Sequence, residues 1–142
     1  SISELLPYRT YNVDVYARNS AGKGANSNVS FRTNIDYPDK PTGVYTGNKT
    51  ASSLLINWAK ADHFNGPTKY MVLINDLTNG SIIIPPCTTA VGDWTDKLST
   101  ECNVPGLDAY WKYDIVVEAI TFDERVGELT KSSEKKTFIT AE

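Results

Sequence analysis

Two stretches of the chain alternate between apolar and polar residues with the same spelling. Leu5, Pro7, Arg9, Tyr11, Val13, Val15 and Ala17 recur as Leu107, Ala109, Trp111, Tyr113, Ile115, Val117 and Ala119, each pair 102 positions apart. A period of two puts successive side chains on opposite faces, so each stretch predicts a half-buried β-strand. The same alternation marks Leu54, Ile56 and Trp58, and again Tyr70, Val72 and Ile74. It predicts strands at Arg9–Arg18, Asn28–Thr33, Thr42–Gly47, Ser53–Ala59, Thr68–Asn75, Ser81–Ile84, Glu101–Val104, Trp111–Phe122 and Leu129–Thr140. The runs Asn19–Gly24 and Asn65–Pro67 carry the glycines and asparagines of turns. Phe31 and Phe138 mirror one another near the two strand ends, but at an offset of 107, so the second connection carries extra residues and predicts a long loop from Asp123 to Glu128.

A tyrosine that opens such a strand, with leucine six residues before it, has the form of a tyrosine corner, in which the hydroxyl bonds upstream backbone. On Tyr11, Tyr113, their leucines and the roughly hundred-residue repeat, the chain resembles the fibronectin type III domain. Trp58 matches the core tryptophan of strand B in that family. The resemblance implies an all-β, immunoglobulin-like antiparallel β-sandwich. Residues 1–34 would be the end of strand E with strands F and G of one domain, 35–40 a linker stiffened by Pro38 and Pro41, and 41–142 a complete second domain. Tyr11, Trp58, Tyr70, Leu107 and Tyr113 would form the structural core. Ala109 and Trp111 depart from the family's usual proline and threonine, which predicts a distorted second corner. The first domain would lack strands A to D and bare its apolar face, so they are expected from another chain or a swapped neighbour. A monomeric 15.7 kDa species with an ordered hairpin would contradict that.

Composition changes this picture little. A 40% hydrophobic and 22% charged chain is ordinary for a globular protein, and a net charge of −3 argues against nucleic acid or an anionic membrane as partner. No apolar run is long enough to span a bilayer, and Ser1–Glu4 lacks the features of a signal peptide, so the chain reads as part of something longer. Cys87 and Cys102 enclose fourteen residues, read as an insertion before strand E; they are either a disulfide or two buried thiols. Asn28, Asn48 and Asn79 each begin a glycosylation sequon. With the resemblance, these features imply an extracellular protein, either secreted or the ectodomain of a single-pass membrane protein.

Candidate chemistry is sparse. His63 is the lone histidine, in a polar loop, and neither cysteine has an arginine six residues on, as a tyrosine-phosphatase nucleophile would. Neither metal nor cofactor is expected: the cysteine spacing is wrong for zinc, and Asp93 with Asp96, or Asp123 with Glu124, lacks a calcium loop. Lys131, Lys135 and Lys136 read as a solvated edge rather than a sulfated-glycan site. No catalytic site is predicted. The expected role is a non-catalytic receptor segment that spaces domains and docks a protein ligand or co-receptor, with Trp94, Glu124 and Arg125 as candidate binding residues. Asn65-Gly66-Pro67-Thr68-Lys69-Tyr70-Met71-Val72 is similar to strand C of repeats in receptor-type tyrosine phosphatases, and in variant form in neural adhesion molecules. A matrix or adhesion protein, or a module on a secreted enzyme, are the alternatives.

Overall fold

The computed structural model describes residues 1–61, 64–83 and 100–142, and every helix or strand among them is a strand. The two repeated stretches become β1 (Thr10–Val15) and β10 (Lys112–Asp123). A small antiparallel ribbon, β2 (Arg18–Asn19) with β3 (Gly22–Lys23), follows β1, and β4 (Ser27–Arg32) then returns along β1.

The remaining strands form two antiparallel sheets. One runs β5 (Tyr45–Lys49), β6 (Ser53–Asn57) and β9 (Glu101–Pro105). The other orders β11 (Gly127–Ser132), β10, β7 (Thr68–Asp76) and β8 (Ile82–Ile83), with β12 (Lys136–Ile139) also on β10. Alternation decides what lies between them. Leu54 and Ile56 from β6, Val104 from β9, Tyr70, Val72 and Ile74 from β7, and Tyr113, Ile115, Val117 and Ala119 from β10 form one buried cluster. Each of the large side chains contributes about 1.5–3 kcal/mol on leaving water. Trp58 meets Tyr70 edge-on, ring centroids 5.4 Å apart, just beyond β6. This is an all-β sandwich of fibronectin type III form, with a separate two-stranded hairpin ahead of it.

Three strand expectations are corrected. The first strand of the sandwich begins at Tyr45 rather than Thr42, because Gly43 takes a left-handed φ of 62° and the register then slips between Thr46 and Lys49. The final strand is two pieces. Ser133 interrupts it, its Oγ accepting from Val117 N at 2.9 Å where a backbone carbonyl would otherwise serve. The predicted long loop after β10 is a short turn, since Asp123 pairs with Gly127 and the φ of 91° at Gly127 suits the reversal. The extra residues lengthen the ladder instead.

In the hairpin, Tyr11 faces Phe31 and Val13 faces Val29 on one side, while Asp14 faces Asn28 and Asn12 faces Ser30 on the other. The apolar side is open: Val15 is 62% exposed, Val29 57% and Phe31 37%. Tyr11 is therefore half-buried rather than a core residue, in contrast to Trp58, Tyr70, Leu107 and Tyr113, which are buried.

Candidate functional site

The repeat survives as geometry. Tyr11 Oη accepts from Leu6 N at 2.9 Å, and Tyr113 Oη accepts from Asp108 N at 2.9 Å, donors that are themselves 102 positions apart. Left-handed φ values recur at the same spacing, 49° at Tyr8 and 56° at Tyr110, 62° at Glu4 and 76° at Gly106. A threonine from the returning strand fastens each corner. Thr33 Oγ1 accepts from Arg9 N at 2.9 Å and donates to Leu6 O at 2.6 Å; Thr140 Oγ1 accepts from Trp111 N at 3.0 Å and donates to Asp108 O at 2.5 Å. Burial raises the Tyr113 hydroxyl pKa, opposed by the Asp108 amide. The expected distortion of the second corner is absent. Instead, Trp111 Nε1 donates to Asp76 Oδ1 at 2.9 Å, so the unusual residue is used as a tie to β7.

Asp76 is one of three buried carboxylates held as anions. Burial would raise its pKa, but donors at Thr78, Trp111 and Asn79 outweigh that and lower it. The Thr137 hydroxyl, against opposing burial and with help from Lys135, lowers Asp114. Arg125, through its guanidinium and its backbone N–H, lowers Asp123. These are structural ties; no group of three or more metal-ligating side chains occurs among the described residues.

Where the hairpin meets the sandwich, the linker is pinned on both sides. Asp36 N donates to Asn65 O at 3.0 Å, and Asp36 O accepts from the buried Thr121 Oγ1 at 2.8 Å. Asn65 Nδ2 reaches Tyr37 O at 2.8 Å, and Arg9 Nη1 reaches across to Phe64 O at 2.9 Å. Gly66 lies so close to Ile35 that a Cβ there would stand 2.6 Å from Ile35 Cγ2. Beside this joint opens a cleft of about 640 Å³ with walls from both parts: Tyr8, Arg32 and Ile35 on one side, Pro67, Phe122 and Arg125 on the other.

The predicted binding residues are only partly gathered there. Glu124 and Arg125 border the cleft, but Arg125 is committed to Asp123, Nη2 to Oδ2 at 2.8 Å and Nε to Oδ1 at 3.1 Å. Trp94, Cys87, His63 and residues 88–99 of the insertion lie outside the described residues. Cys102 is buried on β9. Asn28, Asn48 and Asn79 are exposed; Asn28 stands on the polar side of the hairpin with Nδ2 2.6 Å from Asp14 Oδ1. Tyr8, Arg32, Ile35 and Phe122 were not singled out from the sequence. Only the pairing of Tyr8 with Tyr110 at the repeat spacing could have drawn attention to the first of them.

No family model matches the sequence. Among known proteins, the chain is 35% identical over 75 residues to human usherin and 31% identical over 80 residues to human neural cell adhesion molecule L1. It is 28% identical over 120 residues to the chicken cell adhesion molecule DSCAM. These matches cover 51%, 56% and 82% of this chain but 1%, 6% and 6% of those proteins, so the chain spans a small fraction of each. Among solved structures, domains d3–d4 of the rat CD45 extracellular region superpose with a TM-score of 0.68 at 21% identity, covering 99% of this chain and 68% of that one. The chicken CNTN1 FN1–FN3 domains match with a TM-score of 0.54 at 18% identity, over 97% of this chain and 44% of that one. A single fibronectin type III domain of human fibronectin type III domain containing protein 3 matches at 0.52 and 17% identity, over 77% and 91%. The chain has the fibronectin type III fold, and its sequence resembles segments of cell-adhesion receptors.

Proposed function

We propose that this chain is a non-catalytic extracellular segment of a cell-surface adhesion receptor, acting as a spacer and as a docking surface for a protein ligand or co-receptor. The observation that carries the reading is the duplicated corner, with its threonine fastening, in a chain whose sequence is similar to L1 and DSCAM. Residues 1–34 end one repeat, 35–40 link, and 41–142 make the next. The open face bearing Val15, Val29 and Phe31 is the side on which the rest of the first repeat would pack. A Cys87–Cys102 bridge ties the insertion to β9, and N-glycans occupy Asn28, Asn48 and Asn79, whose exposure suits them. The phrase from Asn65 to Val72 favours a receptor-type tyrosine phosphatase as parent, with its catalysis in a cytoplasmic domain.

Labelling intact cells that express the protein with a membrane-impermeant amine reagent tests this. Labelling, and a mass decrease on removal of N-glycans, are expected. A protein that is labelled only after the cells are opened would contradict the extracellular reading.

A further inference from the structure

Resting on that docking role, we infer that the cleft beside the joint is a composite binding site for an extended protein segment presenting a carboxylate next to an aromatic side chain. The apolar part of the cleft comes from Tyr8, Ile35, Pro67 and Phe122, and Phe122 is 51% exposed despite its size. A large apolar side chain left open beside a concavity is a seat for a partner's anchor residue.

Charge selects the partner's polar group. Arg32 lies over the Tyr8 ring, its guanidinium carbon 4.8 Å from the centroid, and Nη1 donates to Tyr8 Oη at 3.2 Å. Stacking and that bond hold the planar group before any ligand arrives, which lowers the ordering cost of binding. No carboxylate pairs with Arg32 among the described residues. Arg125, across the cleft, is already neutralised by Asp123, and Glu124 adds a negative charge on that side, so an incoming carboxylate is directed to Arg32 on the opposite wall. Arg32 therefore presents an uncompensated, pre-oriented fork at the rim of an apolar cleft, the arrangement that recognises a carboxylate.

The site exists only while the joint is fixed, because Arg32 and Tyr8 belong to the hairpin and Phe122 and Pro67 to the sandwich. The bonds from Asn65 and Thr121 to the linker, and the close approach of Gly66 to Ile35, maintain that spacing.

The test is an NMR titration of the isotope-labelled full chain with the peptide acetyl-Gly-Phe-Glu-Gly-amide. Saturable shifts centred on Tyr8, Arg32 and Phe122 are expected, with about tenfold weaker binding for Arg32→Gln and for the peptide carrying glutamine in place of glutamate. Partial recovery with Arg32→Lys is expected as well. Arg32 is exposed, so an unchanged spectrum elsewhere verifies that the variant folds. Absence of shifts at millimolar peptide, shifts centred elsewhere, or equal binding of the glutamine peptide would overturn the inference. Cell-surface labelling is indifferent to Arg32, so a failure here leaves the receptor reading to its own test.

Discussion

Replacing Gly66 with alanine probes the joint at its tightest point. Gly66 has no left-handed φ, so alanine fits its backbone, and away from neighbours the change would stabilise by about 0.4–1 kcal/mol through the unfolded chain. The structure reverses that sign. The new Cβ would stand 2.6 Å from Ile35 Cγ2, 3.3 Å from Ile35 Cγ1 and 3.4 Å from Thr121 Cβ, so at least one contact must open substantially. Ile35 is β-branched and stiff at χ1. The next residue along, Asp36, is bonded on both sides, to Asn65 O and from Thr121 Oγ1. On the other side, Asn65 is buried and Gly66 O holds Thr68 Oγ1 at 2.9 Å. Relief therefore comes from peeling the linker away, at about 1–3 kcal/mol for overpacking, which exceeds the entropic gain. Thermal denaturation of Gly66→Ala should show a lower midpoint, and amide exchange at Asp36 should accelerate. A variant that melts higher than the parent, with Asp36 still protected, would refute the claim that this contact sets the joint.

Other expectations follow from the same contacts. Thr140→Val keeps the shape but strips an acceptor from Trp111 N and a donor from Asp108 O; unfolding should cost about 1–3 kcal/mol less, read by denaturant titration. Trp58→Ala empties the space beside Tyr70 and should destabilise by about 3–5 kcal/mol in the same assay. Asp76, Asp114 and Asp123 all have native pKa values below the ordinary carboxylate value. Their contribution is complete above the unfolded value, near 4, and is lost as pH falls through the lowered native values. Melting temperature should accordingly be flat near neutrality and decline below about pH 4, and Asp76→Asn should flatten part of that decline.

The sequence displayed the sandwich well and the cleft hardly at all. Strands on β6, β7 and β10 were legible because one face of each is buried, and burial imposes a period of two on residues such as Leu54, Ile56, Val72 and Ile115. The corner was legible because it needs tyrosine at one place, and the repeat showed that place twice. Interruptions were not, since Ser133 sits in a run that still reads as strand and acts through a single hydroxyl. The turn after β10 looked like a long loop because the five-residue difference said nothing about whether the residues pair. The cleft draws Tyr8, Arg32, Ile35, Pro67 and Phe122 from separate segments whose only common signal is the linker's path. Trp111 shows the opposite error: a departure from the family pattern read as a distortion, where the indole adds a bond to Asp76.

Tyr11 and Tyr113 close the same corner in two repeated stretches of the chain, and amide hydrogen exchange at Leu6 and Asp108 measures this most directly. Both amides should exchange slowly in the parent chain, Leu6 alone should lose protection in Tyr11→Phe, and Asp108 alone in Tyr113→Phe. Free-chain exchange at either amide in the parent, or protection untouched by removal of its tyrosine hydroxyl, would contradict the account.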